Sequence, residues 1–222
     1  MITELTYIDK TETMYPSLGN IFDRDLLGDL GRFNSAPFST TYGYVFSGEI
    51  TLPSEKVVSQ GEYFSFWSRD PALFEYTGKV VTFTRIGFKG QNVIGTLEDK
   101  GRLVYIDGCT DTLLVYPPRS GDPSMSALYF PPNTDQTMHI HPSIRMGTVV
   151  RGNGSAIIVD KDNEEVGITL EEGMLFCLDE NEKHKFRTSS KPLVIIAFHP
   201  DGDWGPTDHN HTMLNRTYLT KK

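Results

Sequence analysis

The chain has 222 residues, of which 38% are hydrophobic, and a formal net charge of −8 at pH 7, so it is long enough to bury one large core or two small ones. This acidic balance argues against a nucleic-acid partner, since such partners select a basic surface. The first residues, MITELTYIDK, lack a basic segment followed by an apolar run, and no apolar run approaches the ~18 residues that span a bilayer. We expect a cytoplasmic protein with no nucleic-acid or membrane partner.

The two cysteines, Cys109 and Cys177, are far apart and follow no disulfide pattern. A reducing compartment is the simplest interpretation. We expect both to be buried as small hydrophobic side chains.

Short segments rich in Val, Ile, Phe, Tyr and Thr follow one another along the chain, separated by Gly, Pro and Asp. In chain order they are YGYVFSGEITL, EYFSFWS, KVVTFTRIGF, DTLLVYPP, SALYFPP, GTVVRGNGSAIIV, GMLFCLDE and PLVIIAFHP. Runs of this length and composition, with turn residues between them, are typical of strands in a sandwich or barrel. The sequence therefore predicts an all-β fold.

Segments of the first half recur in the second half in the same order. GYVFSG at residues 43–48 resembles GTVVRG at residues 147–152, and GEYFSFW from Gly61 resembles GMLFCLD from Gly173. The number of residues between matching segments changes only slowly along the chain, as expected for a duplicated fold with loop insertions. We predict two similar β modules, at residues 1–100 and 101–200, and a turn-rich tail at 201–222. Chance similarity among β-rich segments is the alternative.

Three histidines of the second half are candidates for a metal site. His139 and His141 are two positions apart, and side chains at i and i+2 of a strand face the same side. A glycine-bounded hairpin segment separates them from His184, so that this third imidazole can fold back toward the first two. Imidazoles are common ligands of transition metals, and we expect these three to hold one ion.

The segment around His184 resembles the second motif of the cupin superfamily, G-x5-P-x-G-x2-H-x3-N. Gly173 and His184 match the motif in spacing. Asp179 and Asn181 replace its proline and second glycine, and Thr188 stands where asparagine is usual.

The segment around the histidine pair resembles the first cupin motif, G-x5-H-x-H-x3,4-E-x6-G. His139, His141 and the closing Gly152 match, whereas Asn133 replaces the opening glycine and Arg145 occupies the glutamate position. The resemblance covers about residues 111–200. Because the repeat extends it to the first half, it implies a bicupin, with two small jelly-roll barrels in one chain.

The first module is expected to lack a metal. Residues 1–138 contain no histidine, and the repeat places Ser35 and Pro37 opposite His139 and His141. We expect this module to be a degenerate barrel that packs against, or caps, the active one.

Arg145 cannot replace the glutamate ligand, because a guanidinium stays protonated and has no lone pair to give. Three interpretations follow. The metal has three histidine ligands and open coordination positions, or the barrel binds no metal, or another residue completes the ligand set. A cation beside a divalent ion is costly unless an anion lies between them. We therefore expect Arg145 to bind an anionic substrate, and the alternative is that Pro142 turns it outward to a surface ion pair.

The chain contains three further histidines, His199 at the end of the last predicted strand and His209 and His211 in the C-terminal tail. The Gly, Pro and Asp residues of the tail favour a loop that packs over the barrel mouth or at a subunit interface, which leaves a homodimer open. Metal binding by His209 and His211, or entry of His199 into the site, are the less favoured alternatives.

The resemblance implies a non-haem Fe(II) dioxygenase that acts on a small anionic organic molecule, with His139, His141 and His184 as ligands. Imidazole also suits Zn, Mn, Ni and Cu. Two alternatives stay open: a non-catalytic cupin that senses or stores a small molecule or metal, and a metal-dependent isomerase or lyase.

Overall fold

The computed structural model describes residues 7–10, 17–24, 30–119 and 121–201, and these are almost entirely β-structure. The strands are β1 (Tyr7–Lys10), β2 (Ser17–Arg24), β3 (Gly31–Asn34), β4 (Ser39–Ser47), β5 (Glu49–Thr51), β6 (Val57–Ser59), β7 (Glu62–Ser68), β8 (Leu73–Tyr76), β9 (Gly78–Ile86), β10 (Val93–Thr96), β11 (Leu103–Val104), β12 (Thr110–Val115), β13 (Ser124–Phe130), β14 (Arg145–Val159), β15 (Glu165–Glu171), β16 (Leu175–Leu178), β17 (His184–Arg187) and β18 (Leu193–His199). A 3₁₀ turn spans Ile106–Gly108. None of the described residues forms a helix long and apolar enough to cross a membrane.

The strands form antiparallel sheets that keep the two halves of the chain separate. The first half contributes a six-stranded sheet in the order β1-β2-β9-β4-β7-β10 and a four-stranded sheet in the order β3-β8-β5-β6. The second half forms a sheet in the order β11-β12-β13-β18-β14-β15, with β16 and β17 also paired to β14. The prediction of an all-β fold is confirmed.

Strand β14 organises the second half because it belongs to both of its faces. Residues 145–152 pair with β16 and β18, and residues 153–159 pair with β15 and β17. The direction changes at Gly152, whose φ is 79°. A Cβ atom there would lie 2.1 Å from the carbonyl oxygen of Pro192, so both the backbone angle and the close approach require glycine.

Three hydrophobic clusters fill the molecule: one within each half and one between the halves. Alternate residues of β18 divide between two of them. Leu193 and Ile195 face the cluster inside the second half, whereas Val194, Ile196 and Phe198 face the cluster between the halves. A strand buried on both faces needs apolar residues at every position, which explains the uninterrupted LVIIAF segment.

Aromatic rings pack directly across the contact between the halves. Phe83 of β9 stacks on Phe198 of β18 at a centroid distance of 5.5 Å, and Tyr42 packs against the same ring at 4.9 Å. Cys177 lies in this cluster and Cys109 in the cluster of the second half. Neither forms a disulfide and both are buried, as expected.

The sequence repeat corresponds to repeated contacts. A Cβ atom on Gly43 would lie 2.4 Å from Cζ of Phe64, and a Cβ atom on Gly147 would lie 2.4 Å from Cζ of Phe176. In each case the aromatic residue is the cross-strand partner of the glycine. A duplicated module would give this match, and the expected boundaries at residues 100 and 200 stay a prediction.

Ser35, which the repeat aligns with His139, is buried, and its hydroxyl contacts that of Ser68 at 2.7 Å. The hydroxyl of Ser35 also accepts a hydrogen bond from the Ala72 amide at 3.1 Å. These contacts are those of a structural position, and the metal-free state of the first module stays a prediction.

Candidate metal centre

The three candidate ligands lie together in the second half. The potential ligand atoms of His139, His141 and His184 all lie within 4.8 Å of one another. The ring centroids are 4.5 Å apart for His139 and His184, 5.1 Å for the histidine pair, and 5.2 Å for His141 and His184. Two nitrogens on one ion at about 2.1 Å can be at most about 4.2 Å apart. The three side chains are therefore close enough to form a candidate site, and their nitrogens would have to move closer together to bind one ion.

The backbone brings His139 and His184 side by side. The amide of His139 donates to the carbonyl of His184 at 2.9 Å, and the amide of His184 donates back at 3.0 Å. His141 is held to the loop before β17, because the backbone amide of Asn181 donates to the carbonyl of His141 at 2.7 Å. Three short backbone hydrogen bonds thus fix the spacing of the ligand-bearing segments.

The expectation that the histidine pair lies on a regular strand is wrong. Residues 131–144 form an extended connection between β13 and β14, with isolated bridges at Asp135 and His139. Pro142 cannot donate to a sheet hydrogen bond, and such residues are excluded from central strands. The strand begins only at Arg145.

The tautomers of two ligands are set by carbonyl groups. Nδ1 of His139 lies 2.7 Å from the carbonyl oxygen of Thr137, and Nδ1 of His184 lies 2.8 Å from that of Glu182. A carbonyl only accepts, so each Nδ1 carries the proton and each Nε2 keeps its lone pair. Carbonyl partners of this kind are the usual outer contacts of metal-bound imidazoles.

Burial keeps these imidazoles neutral. Desolvation lowers the pKa of His184 to about 3 and that of His141 to about 4, and in both cases the charge of Arg145 adds to the effect. Desolvation also lowers the pKa of His139. A metal binds the neutral imidazole, so the three side chains are ready to bind an ion at neutral pH.

The departures from the cupin motifs fit the backbone. Asn133 and Asn181 stand at glycine positions of the two motifs, and their φ angles are 61° and 58°. The matching glycines, Gly152 and Gly173, have φ angles of 79° and 87°. Asparagine is the side-chain-bearing residue that best tolerates positive φ, so the turns are kept without glycine.

Thr188, at the asparagine position of the second motif, secures the connection that carries the histidine pair. Its hydroxyl accepts from the amide of Thr134 at 2.9 Å and donates to the carbonyl of Pro131 at 2.6 Å. Both partners precede the ligands in the same connection. The hydroxyl therefore joins that connection to the end of β17.

The three histidines open onto a cavity of about 80 Å³ inside the second half. Its wall is mostly apolar, and its principal apolar residues are Leu128, Phe130, Phe176, Leu178, Phe186 and Ile195. A cavity of this volume is smaller than most small-molecule sites, and its apolar wall with a few polar groups is the lining that such sites share.

Arg145 lies in the wall of the same cavity and is 4% exposed. Its Nη1 donates to the carbonyl oxygens of Ser143 and Ile144 and to the hydroxyl of Ser143, at 2.8–3.1 Å. Burial lowers the pKa of Arg145 to about 10, so the group remains cationic at pH 7. Although Pro142 does interrupt the strand, the side chain is not on the outer surface.

The cavity also contains polar residues that the sequence analysis missed or favoured less. His199, the last residue of β18, lies in its wall, and burial lowers its pKa well below the ordinary value. Gln136, Asp111 and Tyr105 line it as well. His209 and His211 lie outside the described residues.

No protein-family model and no curated protein matches the sequence. Many solved structures do match in fold. A cupin 2 conserved barrel domain protein from Leptotrichia buccalis superposes with a TM-score of 0.58 at 15% identity, over 89% of this chain and 88% of that chain. The protein has a cupin fold. Its similarity to solved cupins thus confirms the jelly-roll class that the motifs implied.

Two enzymes are among the proteins with similar structures. Salicylate 1,2-dioxygenase from Pseudoaminobacter salicylatoxidans gives a TM-score of 0.57 at 11% identity, over 83% of this chain and 69% of that chain. Oxalate decarboxylase from Bacillus subtilis, studied for its Mn(II) centres, gives a TM-score of 0.52 at 10% identity, over 90% of this chain and 78% of that chain. At these identities the similarity shows the fold, and the three-histidine group is the observation in this chain that marks a candidate metal site.

Proposed function

We propose that this cupin is a metal-dependent enzyme, a non-haem Fe(II) dioxygenase that acts on a small anionic organic substrate. The observation that carries the proposal is the group of three neutral, partly or fully buried imidazoles beside a buried arginine in one cavity. Its ligands would be His139, His141 and His184. Ions such as Zn, Mn, Ni and Cu also accept imidazole, so the ligand set by itself does not select iron.

The donor set suits such an ion. The imidazoles are held by carbonyl contacts with Nε2 available, and they bring no negative charge, so a bound divalent ion would keep its full charge. Iron(II) would supply a Lewis acid that is also redox-active, with coordination positions open to substrate and dioxygen. The apolar residues of the wall exclude water, which strengthens electrostatic interactions inside the cavity.

Charge favours an anionic substrate. A divalent ion and Arg145 would bring three positive charges to the cavity, and Asp111 offers one carboxylate, whose pKa burial raises. The site would therefore keep a positive excess. A substrate carboxylate or enolate would neutralise it, and a guanidinium can bind such a group with two parallel hydrogen bonds. Arg145 thus has the role of an anion-binding catalytic residue.

A lyase is the second candidate, because the cupins of similar structure include a decarboxylase with Mn(II) centres. It would use the same histidines and the same arginine. The two candidates differ in whether dioxygen is consumed.

The test begins with metal analysis of the purified protein and of H184A. We expect about one equivalent of divalent metal in the wild-type protein and a loss in the variant. Oxygen uptake is then measured with Fe(II)-loaded protein and a panel of thiols, diketones and aromatic acids. Uptake with one class and none in H184A supports the dioxygenase. Substrate turnover without oxygen uptake supports the lyase, and metal-free wild-type protein would overturn both.

A further inference from the structure

Gln136 is a polar residue of the cavity wall whose side chain the proposed function does not use. It is 2% exposed and lines the cavity with the histidines and Arg145. Its backbone is held by β17, because the backbone N–H of Gln136 donates to the carbonyl of Phe186 at 3.1 Å.

The orientation of the side-chain amide of Gln136 follows from its hydrogen bond with the backbone of Phe186. Oε1 accepts a hydrogen bond from the backbone amide of Phe186 at 3.3 Å. Because an N–H group can only donate, the oxygen must face Phe186 and the Nε2 group must face away from it. Among the described residues, this buried Nε2 finds no hydrogen-bond acceptor.

A buried donor without an acceptor is unfavourable, and such groups are rare in folded proteins. When the group also lines a ligand cavity, an acceptor on the ligand is the natural partner. We propose that Nε2 of Gln136 recognises a second, uncharged oxygen of the substrate, next to the anionic group that Arg145 binds. The inference rests on the proposed substrate site and narrows its substrate class to small oxo- or hydroxy-carboxylates and their enols.

The geometry separates the two recognition groups. Arg145 begins β14, where it pairs with Leu178 of β16, whereas Gln136 lies in the connection that runs beside β17. The two donors therefore enter one cavity from different parts of its wall. A substrate whose single oxygen group binds Arg145 would leave Nε2 of Gln136 without an acceptor.

The experiment compares two acids that differ by one oxygen, butanoate and 2-oxobutanoate. Their affinities for Fe(II)-loaded protein are measured by calorimetry without dioxygen. We expect the wild-type protein to prefer 2-oxobutanoate. Gln136→Met should reduce the ratio of the two affinities about fivefold to tenfold, the loss expected for one neutral hydrogen bond, and should leave butanoate binding and metal content unchanged.

Two further variants guard the interpretation. Gln136→Glu keeps an oxygen for the Phe186 amide but removes the donor, so it should lose the same preference even if Gln136→Met fails to fold. Ser124→Ala removes another buried hydroxyl that has no partner among the described residues and does not line the cavity, and it should keep the preference.

Three results would overturn the inference: an unchanged affinity ratio in both Gln136 variants, an equal loss for both acids together with loss of metal, or a wild-type protein that binds neither acid. A protein that shows the Gln136-dependent ratio but consumes no dioxygen would refute the dioxygenase and leave this inference standing.

Discussion

Replacing Arg145 separates substrate binding from metal binding. The side chain is 4% exposed and remains cationic at pH 7, so solvent screens its interaction with an anion only weakly. Loss of a charge-assisted hydrogen bond costs about 1.5–3 kcal/mol, which corresponds to a rise of roughly 10- to 150-fold in the Kd of a carboxylate. We expect this rise for butanoate in Arg145→Met.

The affinity for the metal should not fall in Arg145→Met. The charge of Arg145 lowers the pKa of His141 and His184, and the same charge repels a divalent ion. Its removal should leave metal affinity unchanged or higher, as measured by competition with a chelator. Arg145→Lys should recover only part of the butanoate affinity, because an ammonium cannot make two parallel hydrogen bonds to one carboxylate.

The matched control is Arg151→Met, on the same strand. Arg151 is exposed and pairs with Asp99 at 3.1 Å, outside the cavity. Its replacement should affect neither ligand. If Arg145→Met loses the metal and keeps its affinity for butanoate, the arginine is structural and the argument for an anionic substrate loses its main support.

Three further predictions concern the frame of the site. Gly147→Ala places a Cβ atom 2.4 Å from the ring of Phe176 and should destabilise the protein by about 1–3 kcal/mol in chemical denaturation, whereas Gly167→Ala, with its nearest atom at 3.4 Å, should be tolerated. Asn181→Val should lower stability by about 1–2 kcal/mol because φ is 58°, and Asn181→Gly should restore it. The metal-free protein should lose stability as the pH falls from about 6.5, where unfolded histidine protonates, toward the folded pKa of His184 of about 3. Replacing His184 by Gln should reduce the dependence of the unfolding free energy on pH by about 1.4 kcal/mol per pH unit.

Each of these has a contrary outcome. Equal stability of the two alanine variants would mean that the ring next to Gly147 moves aside without strain. A tolerated valine at position 181 would show that the loop adopts another backbone conformation. An unchanged acid slope in the glutamine variant would mean that His184 titrates alike in the folded and unfolded states.

The grouping of the three histidines could be predicted from the sequence because it depends on short spacings. Alternation in β-structure puts His139 and His141 near one another, and the hairpin of β14 and β15 returns the chain to His184 over a distance that strand geometry limits. The prediction that His139 and His141 lie near each other is correct although the pair lies on a connection rather than on a strand. Extended residues outside a sheet still alternate in direction.

The rest of the cavity could not be predicted, because tertiary packing decides it. Gln136 and Asp111 carry no local signal that distinguishes them from other polar residues of the chain. Gln136 enters the cavity only because its backbone pairs with Phe186, fifty residues along the chain. His199 ends an apolar strand, and the register of β18 against β13 and β14 sets its direction.

The first half acts on the site although it contributes no ligand among the described residues. Arg85 of β9 donates to the carbonyl of Pro200 at 3.2 Å and lies 3.9 Å from the carboxylate of Asp201. The carbonyl of Asp201 accepts from the hydroxyl of Ser143, and that hydroxyl accepts from Arg145. One chain of contacts thus runs from the first half to the cation of the cavity. We propose that the first half serves to position Arg145 through Arg85, whereas the candidate metal ligands all lie in the second half.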